Sequence, residues 1–277
     1  MNQVSKLRAT FKSRRSPFLS AVHDIKKGFF TYTAVWVVLG WLDIKQRYRR
    51  SVLGPFWLTI STSVMVAALG LVYSGLFNQP LKDYLPYLAV GMIVWTLLST
   101  LLNEACAVFI MAEGMIKQVR MPLTVHVLRM VWRNIIIFFH NAVVLIFVLL
   151  FFSRGASAAL FLIPFALIII ALNGLWLGLI LGVFCSRFRD IAPIIANFTQ
   201  LVFFITPIFW RPEALVNRAW LANLNPFYHF IEIVRSPLLQ GNLPIESWEV
   251  VISITILLGV LAVFVLTKYR HRVAYWV

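Results

Sequence analysis

The chain has 277 residues, of which 61% are hydrophobic and only 13% charged, and its net charge is +15. Soluble domains carry about 25% charged residues, so a chain this apolar places much of its surface in lipid. Its basic residues flank apolar runs instead of forming an exposed basic domain, which argues against nucleic acid and for anionic phospholipids as the partner of the charge.

Residues 1–28 read as a basic cytoplasmic segment, without an apolar run of signal-peptide length. Phe29 to Leu42 is apolar but short for a span, and the polar run Asp43 to Arg50 follows at once, which predicts an interfacial helix. Six long apolar runs come next, at 55–77, 86–112, 134–152, 160–184, 191–209 and 250–267. About 20 helical residues cross a hydrocarbon core of about 30 Å, so the expectation is an all-α integral membrane protein with six transmembrane helices. Pro55 and Pro86 are expected in first turns, and Asp190 is expected to cap the fifth span.

Lysine and arginine orient the spans. The inner segments hold eleven before Ser51, four in 103–133, two in 185–190 and three after Thr267. The outer segments hold Lys82, Arg154, Arg211, Arg218 and Arg235. Twenty against five predicts that both termini are cytoplasmic. The outer connection 210–249 is too rich in Leu, Ile, Phe and Trp for a solvated loop, and Pro212, Pro226, Pro237 and Pro244 divide it. Short helices dipping back into the outer leaflet fit it, with a small extracytoplasmic cap as the alternative.

The spans offer little chemistry. Asn103 and Glu104 lie near the expected cytoplasmic boundary of the second run, so His140 is the one ionisable residue in the span interiors and reads as a packing histidine, whereas ion-coupled transport normally uses intramembrane carboxylates. No metal, nucleophile-elbow or phosphate-loop motif is present, and Cys106 and Cys185 lack metal or redox spacing. Energy for any active transport would have to come from a partner.

Three groups remain. Gly174, Gly178 and Gly182 line one helix face and allow close packing, within a subunit or between subunits. Tyr73, Phe77, Tyr84 and Tyr87, with Thr59 and Ser63 of the first span, read either as anchors and backbone-bonded hydroxyls or as the lining of a sugar channel. In the inner loop, Gly114 and Pro122 bracket about two turns from Glu113, placing Ile116 and Val119 on one face and Lys117 and Arg120 elsewhere. That loop is either a solvated basic segment or a docking helix for a cytoplasmic partner.

Several of these stretches together resemble one family. The basic run into Ser51-Val52-Leu53-Gly54-Pro55-Phe56-Trp57 resembles the start of span one in permease subunits of polysaccharide-exporting ABC transporters, which export O-antigen, capsule and teichoic acid chains. Ile116 to Pro122 resembles the coupling helix of that family, with Met121 where Phe is usual, and Phe188-Arg189-Asp190-Ile191, Thr206-Pro207 and Asn225-Pro226-Phe227 resemble its second half. The resemblance implies a homodimer bound to two cytoplasmic ATPase subunits, which would hold the ATP and Mg, and a permease domain over 29–277. It also implies an amphipathic interface helix at 29–47, re-entrant helices between spans five and six, and a channel for a lipid-linked polysaccharide in the bacterial inner membrane. Arg47, Arg49 and Arg50 would lie where a lipid pyrophosphate approaches. The alternatives are a drug or small-lipid exporter of the same superfamily and a membrane-embedded glycan- or lipid-modifying enzyme.

Overall fold

The computed structural model describes residues 16–49, 54, 56–152, 158–215 and 220–277, and among these every regular element is helical. Two helices precede the first long span: α1 (Pro17–Phe30) and α2 (Thr33–Tyr48). The sequence predicts a basic segment over 1–28 and one interfacial helix at 29–47, whereas helix already begins at Pro17. The start of α1 is set by Ser16, whose Oγ accepts the Leu19 N–H at 3.2 Å, and by Pro17 at the first position, where a missing N–H costs little.

The chain continues through α3 (Phe56–Leu76), α4 (Leu81–Ala107), α5 (Glu113–Gln118), α6 (Leu123–Phe152), α7 (Ile163–Arg187), α8 (Ile191–Ile205), α9 (Trp220–Asn223), α10 (Pro226–Leu239) and α11 (Ile245–Trp276). Five helical stretches are long and apolar enough to cross a membrane, namely α3, α4, α6, Ala159–Arg187 and α11. The protein is therefore multi-pass. Between α3 and α4 the chain reverses at Asn78, whose φ of 50° is a conformation Asn tolerates.

The fifth apolar run departs from the uniform helix expected at 191–209. α8 has 15 residues, about 22 Å at 1.5 Å per residue, and stops short of a full crossing. The residue before a proline avoids the helical region, and Thr206, which precedes Pro207, is extended at φ −78°, ψ 136°. Beyond Thr206 the chain bends, and the Ile208 N–H donates to the Thr206 carbonyl at 2.7 Å.

Two other boundaries moved. Pro86 lies inside α4 rather than in its first turn, because the helix starts at Leu81, where Pro80 precedes it. α6 starts at Leu123, eleven residues before the apolar run at 134, because Arg129 and Arg133 are helical residues with acidic partners and not loop residues. Pro55 lies outside the described residues.

α4 is the central helix: almost everything from Tyr84 to Cys106 is buried against α6, α7, α3, α8 and α10. α7 packs most extensively on α11. Gly174, Gly178 and Gly182 mark where α7 crosses α4 and α6. A Cβ at Gly174 would sit 3.0 Å from Leu101 and one at Gly182 2.6 Å from Val108, while at Gly178 it would overlap Val127. By contrast α3 buries only Val66 and Gly70 and leaves Val64, Leu71, Val72 and Leu76 exposed, a face suited to lipid or to another subunit.

Candidate functional site

One end of the bundle gathers α1, α2, α5 and the C-terminal part of α11, and the basic residues concentrate there. α5 is a single short helix. Glu113 and Lys117 pair across one turn at 2.6 Å, both exposed, and this pairing holds the Glu113 carboxyl below its ordinary range. Gly114 meets nothing where a side chain would be, so it lies on the free surface. Ile116 packs against the core, whereas Val119 is 49% exposed. The helix ends at Gln118, and Val119 is extended at φ −124°, ψ 128°. Ile116 and Val119 therefore do not share a helical face, as the sequence reading had them: Ile116 anchors the segment while Val119 and Arg120 project.

The anchoring extends to α1. Asp24 accepts the Leu123 and Thr124 N–H groups at 3.3 and 3.2 Å and the Thr124 hydroxyl at 2.7 Å. It thereby caps the N-terminus of α6 from a distant part of the chain. Gly28 allows this approach, since a Cβ there would lie 2.8 Å from Thr124 Cβ. α1, the 116–123 segment and α11 wall a groove of about 450 Å³ that includes Lys27, Arg120 and Arg270.

Next to it lies an ionic network. Arg133 donates to Asp43 of α2 at 2.9 Å and to Glu104 of α4 at 2.7 Å. Arg129 also binds Asp43, and Asn134 donates to Glu104 at 2.6 Å. Burial works to raise the Asp43 carboxyl, but the hydrogen bonds and charges of Arg129 and Arg133 hold it below its ordinary value. Gly40 lets α2 approach α6 closely, since a Cβ there would lie 2.9 Å from the Trp132 ring and 3.1 Å from the Arg129 carbonyl. Of the three cations expected near a lipid pyrophosphate, Arg47 reaches Glu104 at 3.5 Å, Arg49 is exposed, and Arg50 lies outside the described residues.

At the opposite end the aromatic group forms a packed cluster. Tyr73 stacks on Phe77 with centroids 5.8 Å apart and meets Phe209 at 5.5 Å. Tyr84, fully buried, donates to the Phe209 carbonyl at 2.6 Å, and Tyr87 donates to Trp210 at 3.0 Å and Pro207 at 3.2 Å. These phenols hold the turn after α8, and the Tyr84 ring is buried. Thr59 donates to the His140 carbonyl at 3.1 Å and Ser63 to the Thr59 carbonyl at 2.8 Å. Both line a mainly apolar cavity of about 310 Å³ between α3 and α6. The His140 ring itself lies 2.8 Å from the Ile136 carbonyl of its own helix.

Arg235 of α10 is the largest fully buried side chain among the described residues. It donates to the Pro207 carbonyl at 2.9 Å and lies 3.9 Å from the centre of the Tyr87 ring. Sequence reasoning passed over Asp24, Asp43, Glu104, Arg129, Arg133 and Arg235 as site residues. The spacing of Arg129 and Arg133, four apart and hence on one helical face, was the available signal.

Apolar helices around a buried central helix, with charges gathered at the bundle ends and a short exposed helix at the basic end, define a multi-pass membrane protein. The ABC-2 type transporter family profile matches residues 34–239, and the chain belongs to this family. The chain is also similar to the O-antigen export system permease protein RfbA of Myxococcus xanthus, 22% identical over 218 residues, covering 78% of this chain and 84% of that one. Two such proteins of Klebsiella pneumoniae are 21% and 22% identical over 240 residues, 86% of this chain and 93% of theirs.

Proposed function

We propose that this chain is the permease subunit of an ATP-driven exporter that moves a lipid-linked polysaccharide, of O-antigen or capsular type, across the bacterial inner membrane. The observation that carries this reading is the alignment over most of the chain with permeases named for O-antigen export. In this reading both termini and α5 face the cytoplasm, in line with the charge bias. Six crossings arise when α8 and the turn after it count as one, and α9 and α10 re-enter from the outer side.

Two copies of this chain would form the channel, with the exposed face of α3 meeting lipid or the second copy. Two ATPase subunits would hold ATP and Mg and dock on the 113–122 segment, where Val119 and Arg120 project. α1 and α2 would lie at the inner interface among anionic phospholipids, with Arg47, Arg49 and Arg50 near the lipid pyrophosphate. Depleting the chain in its host tests the reading: surface polysaccharide should fall and its lipid-linked precursor should accumulate inside. Unchanged surface polysaccharide would rule the reading out.

A further inference from the structure

The cavity at the end opposite α5 has a composition that the packing of the bundle does not require. It is about 440 Å³, within the range of small-ligand sites. Lys82 and Asp83 enter it from the start of α4, Arg211 and Glu213 from the segment after α8, Glu232 from α10 and Gln240 from just past its end. A site for an anion or for a metal ion collects charge of one sign. Here carboxylates and cations alternate around one space, and among the described residues no group of acidic, histidine or cysteine side chains is placed to hold a metal.

Interleaved donors and acceptors suit a neutral polyhydroxyl ligand, because each hydroxyl both donates and accepts. The walls are set beforehand. Arg211 donates to the Asp83 carbonyl at 3.1 Å and lies 5.0 Å from the centre of the Tyr87 ring, and the Tyr87 hydroxyl is spent on the turn. The Nε of Arg211 is buried without a hydrogen-bond partner. The Tyr228 side chain also borders the cavity. The mainly polar walls do not suit an acyl chain.

We propose that this cavity binds a saccharide unit of the exported chain on the outer side of the membrane. The proposal rests on the polysaccharide-export reading and adds a place and a set of contacts to it. Direct protein–hydroxyl bonds are individually modest, so the site would hold one unit and release it as the chain advances.

The test uses the full complex in cells that make the polysaccharide. A photo-crosslinking amino acid replaces Gln240 at the cavity, and another replaces Phe165, an exposed apolar residue of α7, as control. After irradiation the purified permease is oxidised with periodate and stained with a hydrazide dye, which reports carbohydrate carrying a vicinal diol, as a chain whose purified form stains in the same assay does. The expected result is a stained adduct from Gln240 and none from Phe165. Glu232→Gln with Glu213→Gln should lower adduct yield about three- to tenfold at unchanged permease abundance. Glu213→Gln alone, at an exposed position, replaces the pair should the double variant fail to accumulate. Normal export with no adduct at Gln240, equal staining at both positions, or undiminished yield in the variants would overturn the site. Export that persists after deletion of the chain would instead remove the reading beneath it.

Discussion

Arg133 and Glu104 meet at 2.7 Å across α6 and α4, and the same guanidinium holds Asp43 of α2 at 2.9 Å. One side chain thus joins α2 to the central helix and to the helix that follows the 113–122 segment. Arg133→Ala leaves two carboxylates facing each other without their shared cation. Removing one partner of a buried pair costs about 3–5 kcal/mol, and this network is partly solvated, so a loss near about 3 kcal/mol is expected. Arg133→Lys should restore only part of it, because an ammonium lacks the planar fork that reaches both partners. Thermal unfolding of the detergent-solubilised protein measures both, and equal melting of wild type and Arg133→Ala would refute the role.

Acid should act on the same network with a definite sign. The Asp43 carboxyl titrates below its ordinary value, so its ionised form is favoured by the folded state. The stability it contributes is present above the ordinary carboxylate range and is lost as pH falls through the lowered folded value. Melting temperatures followed from about pH 7 to about pH 3 should fall less steeply in Asp43→Asn than in the wild type. Parallel curves would show that Asp43 does not carry the effect.

Gly178 lies where α7 crosses α6, with Val127 and Met130 against it. Gly178→Leu should cost about 1–3 kcal/mol by overpacking and reduce the yield of folded protein. A normal yield with unchanged melting would show that the helices separate there at no cost.

Much of this architecture was legible in the sequence, and the failures have physical causes. Hydropathy finds α3 and α7 to within a few residues because they are apolar on every face. It misplaces the start of α6, since Arg129 and Arg133 are polar by composition and their acidic partners are distant in the chain. Thr206-Pro207 marks the end of α8 by local sterics. The capping role of Asp24 and the burial of Arg235 depend on contacts with Thr124 and Pro207, which no local pattern announces. The tyrosines were recognised as a cluster, but their hydroxyls are engaged by backbone carbonyls that only the folded turn brings within reach.

The charge bias predicts orientation. Reporter fusions after residues 45, 120, 188 and 272 should read cytoplasmic, and fusions near 80, 155 and 220 external. An external signal at 45 would mean that the segment before it crosses the membrane.

The central claim is that work enters this permease from a partner ATPase at the 113–122 segment. Purification in mild detergent, followed by identification of the co-purifying subunit, tests it most directly when wild type is compared with Val119→Asp and with Ile116→Asp plus Val119→Asp. Val119 is half exposed, so its replacement spares the fold, whereas Ile116 also anchors the segment. A charge buried in an apolar contact is strongly unfavourable, so the account predicts an ATP-binding subunit with the wild type and its loss, together with loss of surface polysaccharide, in both variants. A wild-type permease that brings down no ATP-binding subunit, or a Val119→Asp permease that keeps both association and export, would contradict it.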